Sequence, residues 1–249
     1  MRFWREISDS GTFIRSHRYL PHMTTRITED ELPLPSTEFA DRLAAEIDAY
    51  IEEYGLDNAR FDTQLTEDQM REGLYTRIYN ELVAVDLSRR MLDDLDASDD
   101  PQAFVHLLKQ MGDEAKHARM LSQRLWNLGG DPTKVFERAN ESTQSFWEMF
   151  DSLDVIETTV MLQCGAERMA QHRHEKELRF YDDETAEIYR NVISPEEKFH
   201  AKIGVNLLRK LCIDRETQLK ALRKSREGRE LIRSHHDKGV QNAYADTDN

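Results

Sequence analysis

Residues 193–204 read ISPEEKFHAKIG, and the fold turns on how Glu197 and His200 are taken. Three residues apart on a helix, the two side chains leave from one face, which is the geometry of a metal-ligand pair. The same letters also spell a helix start, with Ser194 as N-cap, Pro195 at the first helical position and Glu197 reaching back in a capping box. The rest of the chain has to decide between them.

Outward from this stretch, helical signals follow one another, each bounded by caps or breakers. Residues 36–55 (STEFADRLAAEIDAYIEEYG) form one segment. Four longer ones are expected at about 73–97, 101–127, 144–180 and 185–211. Gly129, Gly130, Asp131 and Pro132 stop the second, and a short helix over PTKVFERAN (132–140) bridges to the third. This long connection predicts a four-helix bundle with a crossover. Residues 1–34, aromatic, basic and aperiodic, read as an arm or lid, residues 35–213 as the helical domain, and 214–249 as a charged helix with a polar tail.

An acid interrupts each apolar stripe. Glu81 falls among Leu74, Ile78, Val85 and Leu92. Glu114 and His117 fall among Phe104, Leu107, Met111, Leu121 and Leu125, while Glu167 follows Met149, Leu153, Ile156 and Val160. Glu197 and His200 lie between Ile193 and Gly204, Leu207 and Leu211. Four buried carboxylates without compensation cost several kcal/mol each or take up protons. Two divalent ions would cancel them, and hard oxygen ligands with imidazole suit iron or manganese. The interval from Glu81 to Glu114 is 33 residues and that from Glu167 to Glu197 is 30, so antiparallel neighbours bring all six groups to one level. A capping box at Ser194 accounts for none of the other three acids. Pro195 then kinks a continuous helix.

Asp113 and Glu196 each precede a ligand glutamate and either orient an imidazole through its second nitrogen or stay solvated. His172 and His174 read as solvated or surface-paired, His235 and His236 as tail residues, and Cys164 as a small core residue one turn from Glu167. Met111, Val160 and Phe199 are expected to line an apolar pocket.

Composition narrows the function. With 249 residues, 33% charged, 10 Gly and 6 Pro, the chain suits a helix-rich globular protein. A net charge of -14 disfavours nucleic acid and anionic membranes as partners. Two cysteines exclude a disulfide framework or a four-cysteine iron site and fit a reducing compartment. No apolar run reaches membrane-span length, and the first residues lack the apolar core of a signal peptide, so a cytoplasmic location is expected.

The segments IYNELVAVD (78–86), GDEAKHARML (112–121), QCGAERMAQ (163–171) and PEEKFHAKIG (195–204) resemble the ferritin-like di-iron carboxylate superfamily over about residues 70–211. The doubled acidic-Glu-x-x-His form is similar to that of multicomponent monooxygenases, ribonucleotide reductase small subunits, acyl-carrier desaturases and rubrerythrins. The resemblance implies an all-α, ferritin-like four-helix bundle with additional N- and C-terminal helices. It implies two Fe ions, or a Mn/Fe pair, with Glu114 and Glu197 bridging, Glu81 and Glu167 terminal, and His117 and His200 each on one metal. The implied activity is an oxidase or oxygenase that uses O2 to oxidise a small or carrier-bound organic substrate, with electrons from a separate donor or the substrate. Peroxide or iron detoxification and a metal-free partner subunit are the rival readings. Rubrerythrin-like peroxidases carry an extra Glu three residues from the third-helix ligand, where this chain has Cys164 and Ala170. A homodimer is one assembly that such bundles take, through flat helical faces.

Overall fold

A computed structural model describes residues 26–53, 63–95, 98 and 100–245, with side chains described as far as residue 231. The described chain is all-helical, with no strand among the described residues. None of its helices is long and apolar enough to cross a membrane.

Helix α1 (Ser36–Glu53) buries Phe39, Leu43, Ile47 and Ile51, a stripe with helical period. Helix α2 (Glu67–Asp94) opens on a capping box: the Thr66 hydroxyl accepts from the Gln69 amide at 3.2 Å, and the Gln69 side chain accepts from the Thr66 amide at 3.0 Å. Helix α3 (Pro101–Asn127) is capped by Asp100, with Pro101 in the first turn, and it stops where Gly129 takes a left-handed φ of 76°. Both bounds of α3 match the sequence expectation. The connection carries α4 (Val135–Arg138) and α5 (Glu141–Glu148).

The third long segment is not one helix. After α5 the chain makes a 3-10 turn (Met149–Ser152), and Leu153 is extended. Asp154 then caps α6 (Val155–Met161), its carboxylate accepting from the Glu157 amide at 3.0 Å. A carboxylate that satisfies the backbone locally offers an alternative to helix continuation, and here it wins. From α6 the helix continues through a π-helical stretch (Leu162–Glu167) into α7 (Arg168–Glu177).

The fourth segment is continuous: α8 (Asp183–Ile188), a π-helical stretch (Tyr189–Ile193) and α9 (Ser194–Leu211). Ser194 has helical angles (φ -59°, ψ -37°) and caps nothing, so the capping-box reading of 194–197 fails and Pro195 sits inside a helix. The π turn accommodates the proline, whose missing N–H and ring disrupt the regular ladder. Helix α10 (Arg215–Ala245) completes the chain.

Helix α2 runs antiparallel to α3, with Arg71 bonded to the Leu128 carbonyl at one end and Met91 packed with Leu107 at the other. Helix α9 runs antiparallel to the stretch from Leu162 through α7, and α3 lies against α9. Residues 26–34, the described part of the arm, are held between α1 and α10. There the Ile27 amide donates to Glu46 at 3.0 Å, and Gln218 bonds both the amide and the carbonyl of Leu34. Residues 1–25, and so most of the expected lid, lie outside the described residues.

Candidate metal centre

At mid-height α2, α3, the end of the first π stretch and α9 contribute Glu81, Glu114 with His117, Glu167, and Glu197 with His200. All six predicted residues meet. One group comprises Glu81, Glu114, His117 and Glu197, and a second comprises Glu114, Glu167 and His200; within each, one ligand atom per residue lies within 4.8 Å of the others. Glu114 belongs to both, so its two oxygens face two positions. His117 Nδ1 lies 3.3 Å from Glu114 Oε2 and 3.2 Å from Glu81 Oε2. His200 Nδ1 lies 3.0 Å from Glu114 Oε1, 3.6 Å from Glu197 Oε2 and 3.9 Å from Glu167 Oε2. Only Glu81, its side chain 11% exposed, is not fully buried.

The outer nitrogens are held by a crossed arrangement. His117 Nε2 pairs with Glu196 Oε2 at 2.7 Å and His200 Nε2 with Asp113 Oδ2 at 3.3 Å, so the acid ahead of each Glu-x-x-His serves the imidazole of the other. Lys109 pairs with Asp113, and Lys116 with Glu196 and Asp113. Asp113 sits at about 2: burial opposes its ionisation, but His200 and Lys109 outweigh it.

The inner groups are far from their ordinary titration. Burial pulls the His117 imidazole down, yet the carboxylates of Glu114 and Glu81 outweigh it and push it up to about 11. His200 moves the same way, burial losing to Asp113 and Glu114. Glu81 is raised to about 7 by burial, and Glu197 is raised well above the carboxylate range by burial and the neighbouring Glu167. Against burial, the two imidazoles lower Glu114.

The residues fit a pair of divalent cations. Glu197 Oε2 and His200 Nδ1 are buried and without a hydrogen-bond partner among the described residues. Such atoms are costly unless something binds them. Both inner nitrogens are Nδ1, with Nε2 committed to a carboxylate, the arrangement that fixes the tautomer of a metal-bound imidazole. Four carboxylates and two neutral imidazoles balance two dications in charge.

Two residues of the centre have no counterpart in the sequence reading. Gln110, fully buried one turn before Glu114, donates to Glu167 Oε1 at 3.1 Å and to Glu114 Oε1 at 3.3 Å. Gln163, one turn before Glu167, donates to Gln110 at 3.2 Å and to Met91 Sδ at 3.3 Å. A glutamine one turn before Glu114 and another one turn before Glu167 were the available signal.

Other expectations need correction. His174 is neither solvated nor in a surface pair: it is 3% exposed, with its ring edge-on to Tyr189 at 4.7 Å. Burial, reinforced by the Arg77 charge, lowers it to about 3. Arg77 pairs with Glu177 at 2.6 Å, and the Tyr181 hydroxyl donates to the same oxygen at 2.8 Å. Thus a polar layer of α2, α7 and the second π stretch adjoins the centre. The expected apolar pocket is not assembled, because Val160 belongs to the core around α1, α6 and α10 whereas Phe199 packs on His106 and under Lys109 at the α3–α9 edge. Cys164 is a core residue as expected, its thiol pushed up to about 12 by burial. The side chains of His235 and His236 lie outside the described residues, and His172 is half-buried.

No protein-family model matches the chain, and no curated protein matches it.

Proposed function

We propose that Glu81, Glu114, His117, Glu167, Glu197 and His200 hold two iron ions, or a Mn/Fe pair, in a ferritin-like four-helix core. In this reading the chain is a di-iron oxidoreductase that uses O2 to oxidise a small or carrier-bound organic substrate, with a separate electron donor. The core consists of the antiparallel pair α2–α3 and the pair formed by α9 with the stretch from α6 through α7. The observation that carries the proposal is the placement of two imidazole Nδ1 atoms on opposite oxygens of one buried carboxylate, Glu114.

When bound, the metal pair supplies reversible redox chemistry and O2 binding. The chain's own residues supply the rest. Glu114 would hold both ions, one on each oxygen, and Glu197 lies within reach of both positions. Glu81 and Glu167 would each hold one ion, and Gln110 donates to Glu167 Oε1 so that Oε2 turns inward. Once metal displaces the Nδ1 protons, Glu196 and Asp113 would keep both imidazoles in the Nε2–H tautomer, with an Nδ1 lone pair aimed inward. Lys109 and Lys116 neutralise those two acids from the solvent side. Near-complete burial excludes water from the centre. The π stretch ending at Glu167 shifts that ligand's register relative to a regular helix, a distortion that often accompanies functional sites.

The test is anaerobic Fe(II) titration of metal-free protein, followed by O2 exposure with O2 uptake and near-ultraviolet absorbance recorded together. The proposal expects two iron ions per chain and uptake that ends once they are oxidised, resuming only with reductant. Uptake that continues in proportion to excess Fe(II) would assign iron detoxification instead. Failure to bind iron would remove the metal reading.

A further inference from the structure

Surface charge is unevenly laid out on this chain. It carries -14 overall, and α2 exposes Glu67, Asp68, Glu72, Asp86, Asp93 and Asp94. Helices α3 and α9, which meet where Phe199 lies under Lys109 at 4.7 Å, expose no acid. Asp113 and Glu114 on α3 and Glu197 on α9 are buried, and Glu196 is half-buried. Solvent meets Lys109, Lys116, Arg119 and Lys202 instead, and Arg119 and Lys202 make no ion pair among the described residues. Beside these cations runs a low apolar strip of α3: Val105 is 60% exposed and Leu108 41%, and Gly112 and Ala115 also face solvent. A Cβ built on Gly112 meets nothing within 4 Å, so no described segment covers the strip there.

This face is also wired to the centre. His200 Nε2 pairs with Asp113 at 3.3 Å, and Asp113 with Lys109. His117 Nε2 pairs with Glu196 at 2.7 Å, and Glu196 with Lys116. Both imidazoles are thus one carboxylate away from a lysine at the surface. On the other sides of the core α1 and α10 pack over the helices from α6 to α7, and α4 lies along α2. An apolar strip with a charged rim is the anatomy of a protein contact. A small contact suits the brief encounters of electron-transfer proteins. A cationic rim selects an acidic partner and steers its approach.

We infer that the outer α3–α9 face docks an acidic one-electron carrier protein, whose electron enters the centre through Asp113–His200 and Glu196–His117. The inference rests on the oxidoreductase reading, which calls for a donor without saying where it binds. Carboxylates of the carrier pair with Lys109, Lys116, Arg119 and Lys202, and its apolar surface settles on Leu108, Gly112 and Ala115. Glycine at 112 and alanine at 115 keep the strip low, so that the carrier's cofactor approaches Asp113 closely. Each docking passes one electron from the carrier's reduced cofactor to the oxidised metal pair, and no bond forms or breaks.

Calorimetry and stopped-flow spectroscopy on the full chain test this, with two acidic carriers, a plant-type ferredoxin and a flavodoxin, as probes. At least one should bind metal-free and metal-loaded protein alike, with affinity falling about tenfold between about 20 and 200 mM salt. The double variant Arg119→Glu, Lys202→Glu should weaken binding at low salt by about tenfold or more and slow electron transfer to the loaded chain in proportion. Its circular dichroism spectrum and its reduction by dithionite should match wild type. Arg89→Glu, a charge reversal on α2, should leave carrier binding as it is. Absence of binding by both probes at low salt would overturn the proposal. So would equal losses in Arg89→Glu and the double variant, electron transfer that the double variant leaves unchanged, or transfer RNA binding in place of the carriers. A chain that takes up no iron but binds a carrier through Arg119 and Lys202 would remove the metal reading and keep the docking face.

Discussion

Filling the centre with two divalent ions must drive protons out. In the metal-free protein His117 Nδ1 faces Glu81 and Glu114 at 3.2 and 3.3 Å while Nε2 is bonded to Glu196. The ring therefore carries both protons, which is why it titrates only at about 11 although burial works against the charge. His200 Nε2 is likewise bonded to Asp113, and although its Nδ1, 3.0 Å from Glu114, makes no hydrogen bond, the surrounding carboxylates raise the ring well above its ordinary range. Each Nδ1 proton occupies a position that a metal needs, so loading at pH 7 releases at least two. Glu81, at about 7, and Glu197, also raised by burial, bring the release towards three or more. Protons compete with metal, so affinity falls as pH falls. Two protons correspond to about a hundredfold, or about 2.7 kcal/mol, per pH unit for the pair of ions. Calorimetric titration of metal-free protein with Mn(II), in buffers of different ionisation enthalpy, measures the release directly, and His117→Phe should reduce it by about one. Release of fewer than one proton per two ions, or a pH-independent affinity, would refute the reasoning.

Three further outcomes follow from the same contacts. Gln110→Leu strips the hydrogen bond from Glu167 Oε1 and leaves the Gln163 amide short of an acceptor, so the metal-free protein should lose about 1–3 kcal/mol in urea unfolding; an unchanged midpoint would show that these bonds contribute nothing. Gly204→Ala places a Cβ 2.6 Å from Gln163 Cβ and 2.9 Å from Cys164 Sγ, which forces α9 away from the stretch bearing Glu167. About 1–3 kcal/mol of stability should go with it, together with weaker metal binding by the same titration; wild-type values for both would mean the helices give way without cost. His174 is buried neutral, lowered to about 3 chiefly by burial, whereas the unfolded chain takes up its proton near 6.5. Its contribution is present above pH 6.5 and is lost as pH falls towards 3, about 2 kcal/mol between pH 6.5 and 5. His174→Phe should remove that part of the acid slope, and parallel stability curves for the two proteins would contradict this.

The six polar groups of the centre were legible because a carboxylate in an apolar helical stripe is anomalous and the two intervals near thirty residues repeat the anomaly. The Asp and Glu ahead of the motifs were legible as candidates to orient an imidazole, but not the crossing by which each serves the other motif's histidine, since that depends on how α3 and α9 pack. The break at Leu153–Asp154 went unseen because a single aspartate cap outweighed an apolar period that continues past it. His174 read as a surface residue from its charged neighbours, and only the fold reveals that Tyr189 and Arg77 enclose it. Gln110 and Gln163 stand on the right stripe, but amides carry no charge anomaly to single them out. The pocket expected from Met111, Val160 and Phe199 failed for a related reason: helical period gives the face of each residue but not which faces meet.

The most direct test of the central claim is anomalous diffraction at the iron and manganese edges from crystals of metal-loaded protein. The account predicts two peaks about 3.5–4 Å apart, one beside His117 Nδ1 and the other beside His200 Nδ1, with Glu114 between them. A single peak elsewhere on the chain, or no peak among these six residues after loading, would contradict it.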